Sequence, residues 1–562
     1  MATPPFTLRG YVADLEARRF RPAELTIAQG RIQHLTELAA GVLPPEAPYL
    51  IPGIVDAHVH VESSLLTPAE FARLAVAHGT VGTVSDPHEI ANVLGVAGVQ
   101  FMLRDAERVP GFAFVFGAPS CVPATVFETA GATVSLADIE TLFADPRIGY
   151  LAEMMNWPGV LFGDADVAAK IALAHRENRP VDGHAPGLRG EQARAYAAAG
   201  ISTDHECFTE EEALDKLAAG MHILIREGSA ARNFDALIGL LADPRWQDRL
   251  MFCSDDKHPD TLAVNHLDDL VRRALARGLD VWAVLRAACR NPVRHYGLPV
   301  GLLRASDRAD FLVLDEAPSA ALRVRQTWLN GELVAENGVS LLVPAPATQA
   351  APNFFVAEPR VATDFRLALP AGTAAAQVRV IVAEDGQLVT GEVLETIAGV
   401  AGSIEADPAR DLLKIVVVNR YVPRAPVAVA FVRGIGLTRG AVASSVAHDS
   451  HNIVAVGCSD EEICRAVNLV IAAHGGLAAT DGATDHVLPL PVAGLMSAAD
   501  GYEIAAAYTQ LDTFSKETLG SPLRAPFMTV SFLALLVIPA LKLSDKGLFD
   551  GARFAFVDVI AD

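Results

Sequence analysis

The feature that most constrains the fold is a regular alternation of apolar runs and alanine-rich stretches between residues 51 and 298. The apolar runs have the length of buried strands, and the alanine-rich stretches have the spacing of amphipathic helices. Eight apolar runs occur, in the order IPGIVDAHV, GTVGTVSD, FAFVFGAP, IGYLAEMMN, PVDGHAP, ISTDHE, MHILIREG and LMFCSDD. The helical stretches between or after them include TPAEFARLAVAHG, ADVAAKIALAHREN, GEQARAYAAAG, EEEALDKLAAG and LDDLVRRALARG. Eight strands with intervening helices over about 250 residues predict an α/β fold, a (β/α)8 TIM-like barrel.

A doubly wound parallel sheet is the alternative α/β arrangement for such a pattern. A dinucleotide-binding sheet of that kind carries a GxGxxG turn directly after its first strand. Here the first run is followed by HVESSLLTP, which has no such turn. We therefore favour the barrel.

Strand-like segments flank the predicted barrel on both sides. TLRGYVADL and ELTIAQGRIQHLTEL precede it, with Gly30 at a hairpin position, and ADFLVLD and VRQTWLNGELVAENG follow it. The two flanks, residues 1–50 and 299–345, predict one small discontinuous β-sandwich around a barrel that covers residues 51–298. After a Pro/Ala-rich linker at 341–353, residues 354–562 carry further strand-like runs and one clear helix, EEICRAVNLVIAAHGG. This last segment predicts a C-terminal α+β domain.

The charge balance excludes several classes of partner. The chain has 45 Lys and Arg against 67 Asp and Glu, a formal net charge of −22, and such a surface repels phosphate backbones and anionic lipid. We therefore expect a small-molecule substrate and neither nucleic acid nor membrane as a partner. The apolar stretch at 525–541 is shorter than the usual ~20 residues of a membrane span and is interrupted by Pro539, so it predicts buried core.

Cysteine usage and the N-terminus indicate the compartment. Six cysteines are scattered without a CxxC pair, which argues against a disulfide framework and favours a reducing environment. The first residues, MATPPFTLRGYVADL, lack a basic segment followed by an apolar run, so no signal peptide is predicted. The expected location is the cytoplasm.

The first predicted strand ends in a histidine pair, His58-Val59-His60. Residues two apart in a strand point to the same face, so the two imidazoles can chelate one divalent ion. Among 16 histidines an HxH occurs fairly often by chance, and the pair by itself is a weak signal.

Further ligand-type residues fall at the ends of later strands: Glu153, His184, His205 and Asp255. Each alone is more often a surface or capping residue. In a barrel, however, the carboxyl ends of the strands converge on one face, so the full set can surround a single site.

Imidazole and carboxylate ligands without thiolates favour Zn, Mn or Fe(II) in a catalytic site. A metal in such a site lowers the pKa of bound water to about 7 and so supplies a nucleophile at neutral pH. Asp255 can then accept the proton of that water. Asp256 can orient a substrate N–H or hold a histidine; which of the two aspartates binds metal stays open, with Asp255 favoured because it ends the strand.

Longer motifs run through most of the chain. In order they are HVHVESS, DPHEIANV, APSCVPAT, AEMMNWPGV, GHAPGL, TDHE and CSDDKHP, with SSVAHDSHNIVAVG and LPLPVAGLMS near the C-terminus. From about residue 50 onwards the chain resembles the bacterial adenine deaminases, which belong to the amidohydrolase superfamily. The resemblance implies hydrolysis of adenine to hypoxanthine and ammonia at a binuclear Mn or Fe(II) centre, with Zn as an alternative, in a homo-oligomer, expected to be a dimer.

The resemblance also implies a division of the ligands. His58, His60 and Asp255 would hold one ion, and His184 and His205 the other. Many relatives in the superfamily bridge the two ions with a carboxylated lysine on the fourth strand. That strand ends here in Glu153, so a glutamate bridge is implied.

Several residues have a functional and a structural interpretation of similar weight. Glu62 and Glu206, each beside a metal ligand, are candidates to protonate the purine ring nitrogen or, alternatively, to orient a histidine. Candidates for contact with the substrate are His88, Glu89, Ser120, His448 and Asp449. For His88 and Glu89 the alternative is a role at a helix start, and for His448 and Asp449 it is a contact between domains.

Three other functions were considered for a site with these residues. An amidohydrolase acting on another 6-aminopurine would need the same site. A cyclic-amide hydrolase of the dihydroorotase or hydantoinase type usually needs the bridging lysine, which is missing here. A barrel that only binds a purine would have lost ligands, yet all six are present. Ammonia release from adenine but not from cyclic amides separates the enzymes, and metal content separates catalysis from binding alone.

Overall fold

A computed structural model describes residues 4–347, 350–370, 372–400 and 402–561 of the chain. Thr348 and Gln349, in the predicted linker, lie outside the described residues, as do residues 1–3, 371, 401 and 562 of the predicted flanking and C-terminal domains.

All eight predicted barrel strands are present, and they form two parallel sheets. The first sheet has five strands and the second has three, paired in sequence order. Almost every residue in these strands is buried, as expected where helices cover a parallel sheet. Their bounds are Ile54–Val59, Thr80–Ser85, Ala113–Ala118, Ile148–Met154, Val181–Gly183, Thr203–Asp204, His222–Arg226 and Leu250–Cys253.

Hydrogen bonds join the two sheets at both seams. At one seam, the Ser202 N–H donates to the Val181 carbonyl at 2.8 Å. At the other, the Asp255 N–H donates to the His58 carbonyl at 3.0 Å, and the His60 N–H donates to the Asp255 carbonyl at 3.3 Å. The strands therefore follow one another around a TIM-like barrel, and the first strand lies beside the eighth.

Helices connect the strands where the sequence predicts them. The helix Leu267–Ala276 shows why: its buried residues Leu267, Leu270, Val271 and Ala274 recur at helical spacing. Polar caps set several starts, as where the Thr209 side chain accepts the Glu212 N–H. The helices are Pro68–Ala75, His88–Leu94, Val96–Ala106, Leu136–Phe143, Trp157–Phe162, Ala165–Arg176, Gly190–Ala198, Glu210–Ala218, Phe234–Leu237, Pro259–Val264, Leu267–Ala276, Val281–Leu285 and Asn291–Tyr296.

The two flanks of the barrel meet in one eight-stranded sheet. The strand Tyr49–Pro52 joins them, because it pairs in parallel with Phe6–Asp14 and antiparallel with Phe311–Leu314. Gly30 turns the predicted hairpin with a φ of 74°, and a Cβ there would lie 2.2 Å from the Asn330 side chain. The other strands are Arg19–Ala28, Arg31–Glu37, Gln326–Leu329, Glu332–Glu336 and Val339–Ser340.

The C-terminal segment is built around a ten-stranded sheet with the helix Asp460–Ala472 packed on it. The strands of this sheet are Leu367–Ala368, Ala375–Val382, Gly391–Val400, Ser403–Ile404, Leu413–Val418, Val427–Arg433, Ala441–Ser444, Ile453–Gly457, Gly476–Thr480 and Asp485–Pro489. Two more helices and a three-stranded sheet follow, at Gly501–Thr513, Pro526–Phe532, Leu541–Ser544, Gly547–Asp550 and Ala555–Phe556.

The apolar stretch at 525–541 is core. It forms the buried helix Pro526–Phe532 and the turns that follow it. Among the helices of the described residues, none combines the length and the hydropathy that a membrane crossing needs.

A buried ion cluster ties a barrel helix to the strand ends. Lys216 is fully buried and its Nζ lies 3.0 Å from Asp204 Oδ1 and 2.9 Å from Glu212 Oε1. Asp204 in turn accepts the N–H groups of Ala185 and Glu206. These bonds fix the main chain next to His184 and His205.

We predict that Lys216→Met destabilises the protein by about 3–5 kcal/mol, because it leaves two buried carboxylates without their cation. Urea unfolding at neutral pH measures the loss. Arg176→Met is the control: Arg176 pairs with Glu140 at the surface, where removing a partner costs less than about 1 kcal/mol. Equal losses in the two variants would contradict the prediction.

Candidate metal centre

The structure brings all six predicted ligands together at the carboxyl ends of the barrel strands, and all six are buried. His58 and His60 present their Nε2 atoms to each other at 3.2 Å. Asp255 Oδ1 lies 3.5 Å from the first of these atoms and 3.2 Å from the second. Asp255 reaches this place with a φ of 55°, a left-handed conformation that its two main-chain bonds to the first strand hold.

Glu153 occupies the middle of the cluster. Its Oε1 lies 3.4 Å from His60 Nε2 and 3.3 Å from His88 Nδ1, and its Oε2 lies 2.8 Å from His184 Nδ1 and 3.2 Å from His205 Nε2. Burial would raise the pKa of Glu153, but His184 and His205 hold it well below its ordinary value. A carboxylate with imidazoles at both oxygens is suited to bridge two cations.

Asp86 and His88, which follow the second strand, also belong to the cluster. His88 Nδ1 lies 3.2 Å from Asp86 Oδ2, and the same oxygen accepts the Glu153 N–H at 3.2 Å. The sequence predicted that the segment Asp86 to Glu89 lines the pocket or starts a helix, with His88 as a substrate contact, and it did not single out Asp86 as a possible ligand. The signal was available, since Asp86 directly follows an apolar strand as the other ligands do.

Arg226 is the second residue that sequence reasoning missed. It is fully buried at the end of the seventh strand, and its Nη1 donates to Asp255 Oδ2 at 2.7 Å and also to Glu206. Burial would raise the pKa of Asp255, but Arg226 and the neighbouring histidines hold it well below its ordinary value. Arg226 directly follows the apolar residues Ile223 to Ile225 at the end of a predicted strand, and a charged residue at such a position is the signal for it.

The C-terminal segment reaches the same site through Glu89. His448 Nδ1 lies 2.5 Å from Glu89 Oε1, and His451 Nε2 bonds to the other oxygen. Asp449 Oδ1 lies 3.8 Å from His88 Nε2. These contacts join residues more than 350 positions apart, so they also connect the barrel to the C-terminal segment.

The remaining predicted residues divide between the cavity and its surroundings. Asp256 lines the cavity, and its Oδ1 accepts a hydrogen bond from the Ser63 hydroxyl at 2.5 Å. Ser120 and Glu62 are not among the residues that line it. The Ser120 hydroxyl donates to the Glu153 carbonyl, and Glu62 accepts the Ile90 N–H at 3.2 Å. Burial raises the pKa of Glu62 to about 7.

The cavity also has an apolar lining that the sequence did not reveal. Barrel residues supply Met155 and the polar groups His60, His88, Glu89, Glu153, His184, His205, Glu206, Asp255 and Asp256. The C-terminal segment supplies Leu388, His448, Asp449, Phe532 and Leu535.

The donor set fits a divalent metal. Several groups of side chains offer ligand atoms within 4.8 Å of one another. They include His58, His60 and Asp255, and also His184, His205 and Glu206. His184 Nε2 is buried and has no hydrogen-bond partner within the described part of the chain. Imidazole nitrogens and carboxylate oxygens at this density are the donors of Zn, Mn and Fe sites.

Known protein families match both parts of the chain. The model of the amidohydrolase family matches residues 49–334, and that of the adenine deaminase C-terminal domain matches residues 387–555. The chain is 56% identical to an adenine deaminase of Salinibacter ruber, over 99% of both chains. It is 51% identical to one of Sulfurovum and 42% identical to one of Borreliella burgdorferi, in each case over 98% of this chain and 99% of the relative. The barrel is thus that of an amidohydrolase, a metal-dependent hydrolase. The whole chain belongs to the adenine deaminase family.

We predict that metal loading releases protons at pH 7.5. Burial alone would lower the pKa of His184, but Glu206 and Glu153 outweigh it and raise the pKa to about 9, so His184 is protonated without metal and must lose its proton to bind one. The apparent affinity for Mn²⁺ therefore rises between pH 7 and 9. Calorimetric titration with Mn²⁺ in buffers of different ionisation enthalpy measures the protons released.

His184→Gln is the comparison for this titration, and it should release fewer protons than the unaltered protein. Binding of Mn²⁺ without net proton release, or with an affinity independent of pH, would show that His184 is neutral before metal binds.

Proposed function

We propose that the protein hydrolyses adenine to hypoxanthine and ammonia. The observation that carries the proposal is the position of Glu153 among His60, His88, His184 and His205, in a chain whose relatives are adenine deaminases over nearly their full length. A bridging glutamate fits this family better than the cyclic-amide hydrolases, which usually need a lysine there.

We propose that the site holds two divalent ions, Mn or Fe(II), with Zn as an alternative. His58, His60 and Asp255 would hold one, His184 and His205 would hold the other, and Glu153 would bridge them. When bound, such ions supply a nucleophilic water at neutral pH and polarise the atoms they contact. We also propose that the chain has three domains, which comprise residues 1–50 with 299–345, residues 51–298 and residues 354–562. The protein is proposed to be a dimer in the cytoplasm.

Asp255 is the proposed proton carrier. Its ion pair with Arg226 keeps the carboxylate ionised, so it can accept a proton from the attacking water. The same proton can then pass to the amino group as the bond from the purine carbon to nitrogen breaks and ammonia leaves. The pair also fixes the direction of the carboxylate, since one oxygen faces Arg226 and the other faces His58 and His60.

A second proton must reach the ring nitrogen next to the reacting carbon. Glu206 lines the cavity, but its ion pair with Arg226 supports the alternative interpretation, in which it holds other groups in place. Glu62 lies away from the cavity wall. Asp256 lines the cavity, and burial together with Asp255 raises its pKa. We therefore assign proton donation to the ring nitrogen to Asp256, which regains a proton from the hydroxyl group on the reacting carbon as that group becomes the carbonyl of hypoxanthine and ammonia leaves.

The test is an adenine assay with Mn-loaded protein, in which ammonia and hypoxanthine are both measured. We expect Asp255→Asn to lower kcat by about 10²–10⁴, the usual contribution of a general acid–base group. Asp235→Asn, at an exposed position of the barrel, is the control and should keep its activity. Metal content is measured for each variant, so that loss of metal is recognised as such.

Two outcomes would contradict the proposal. Ammonia release from a cyclic amide but not from adenine would replace the function. A near-normal kcat in metal-loaded Asp255→Asn would contradict the role of Asp255 as proton carrier, but it would not contradict the proposed hydrolysis of adenine.

A further inference from the structure

A side chain helps to close the seam between the first and the eighth barrel strand. At Ser254, the residue that follows the eighth strand, the N–H donates to Asp56 Oδ1 at 3.0 Å. The Ser254 hydroxyl donates to Asp56 Oδ2. Asp56 belongs to the first strand, so its carboxylate takes the place that a main-chain carbonyl has in an ordinary ladder of strands.

The same carboxylate also holds the strand that carries the histidine pair. Asp56 Oδ1 accepts the His58 N–H at 3.4 Å, so one oxygen binds main chain on both sides of the seam. Asp56 is fully buried, and hydrogen bonds to a charged group are stronger where water is excluded. The carboxylate therefore fixes the main chain next to two predicted ligands, His58 and Asp255.

A histidine from outside the strands holds this carboxylate in place. His266 Nε2 lies 3.0 Å from Asp56 Oδ2, and His266 Nδ1 lies 2.7 Å from the Thr80 hydroxyl oxygen. Thr80 begins the second strand, and His266 directly precedes the helix Leu267–Ala276. We name Asp56, Ser254, His266 and Thr80 the seam clamp. It joins the eighth, first and second strands of the barrel.

Asp255 depends on such support because its backbone is strained. Its φ of 55° lies in the left-handed region, which a residue with a side chain adopts only where the surroundings hold it. Its Oδ1 lies 3.5 Å from His58 Nε2 and 3.2 Å from His60 Nε2. Ser254 determines where the main chain enters Asp255, so a shift of Ser254 would move this oxygen relative to the two imidazoles.

We propose that Asp56 is a positioning residue of the metal centre, which acts through the seam clamp to hold Asp255 in place against His58 and His60. The proposal rests on the metal centre proposed above. Asp56 acts without binding the metal, since both of its oxygens accept hydrogen bonds from the protein. Groups that orient metal ligands from behind typically contribute about tenfold to hundredfold to metal affinity.

The test is calorimetric titration of the folded protein with Mn²⁺ at constant pH. Asp56→Ala removes both acceptors, and we expect the Kd of at least one Mn²⁺ to rise at least about tenfold. Asp56→Asn keeps one oxygen for the Ser254 N–H, and its amide group can donate to the Ser254 hydroxyl oxygen. This conservative variant should keep a Kd close to that of the unaltered protein.

Asp310→Ala is the matched control. Asp310 is also fully buried and also accepts two main-chain N–H groups, from Gly301 at 3.1 Å and from Asn330 at 2.8 Å. It directly precedes the strand Phe311–Leu314 of the flanking sheet, outside the metal centre. Its truncation should lower the stability towards urea and leave the affinity for Mn²⁺ unchanged.

Ser254→Ala replaces Asp56→Ala if that variant does not fold. It removes the hydroxyl that donates to Asp56 and should weaken Mn²⁺ binding in the same direction, to a smaller degree. An unchanged Kd in the folded variant, whichever of the two it is, overturns the role of Asp56 while the metal centre of the unaltered protein stands.

The other outcomes separate the seam clamp from its alternatives. Equal losses of affinity in Asp56→Ala and Asp310→Ala overturn the proposal, because the effect would come from general loosening. Equal losses in Asp56→Ala and Asp56→Asn overturn it too, because the charge of Asp56 would then act at a distance. Absence of Mn²⁺ binding by the unaltered protein contradicts the metal centre and the clamp together. The titration contains no substrate, so a failure to deaminate adenine would contradict only the proposed function.

Discussion

The site depends on the hydrogen bonds that join the first barrel strand to the eighth. They run from the Asp255 N–H to the His58 carbonyl and from the His60 N–H to the Asp255 carbonyl. Residues of the predicted metal site thus form the barrel seam with their own main chains. A barrel with a different number or stagger of strands would separate these residues. The donor cluster therefore forms only in a barrel of this geometry.

The donor cluster concentrates charge that burial opposes. Five imidazoles and the carboxylates of Glu153 and Asp255 lie within a few ångströms of one another and are buried, and an unpaired buried charge is costly. Arg226 offsets part of this cost by pairing with Asp255 and Glu206. Lys216 does the same for Asp204, one residue from His205. Arg226 and Lys216 lie outside the set of metal ligands, but their charges stabilise the donor cluster.

The C-terminal segment completes the site and does more than cover it. Its His448 and His451 bond to Glu89, and its Leu388, Phe532 and Leu535 supply most of the apolar lining. The barrel by itself presents mainly polar ligands. A flat aromatic substrate needs both kinds of surface, which explains physically why the two parts of the chain share one cavity.

The sequence by itself determined the strands, the main helices and the six residues with ligand chemistry, because apolar periodicity and strand-end position are local properties. To group His58 and His60 with the residues at the ends of later strands, only one rule was needed: the carboxyl ends of barrel strands converge on one face. Only the tertiary structure decided the partners of these residues. The strand-end position of Arg226 is visible in the sequence, but its pairing with Asp255 and Glu206 is not, and nothing in the sequence separates Leu388 and Phe532 from ordinary core residues. These partners and contacts join residues that are far apart in the chain, so they cannot be predicted from the spacing of residues in the sequence.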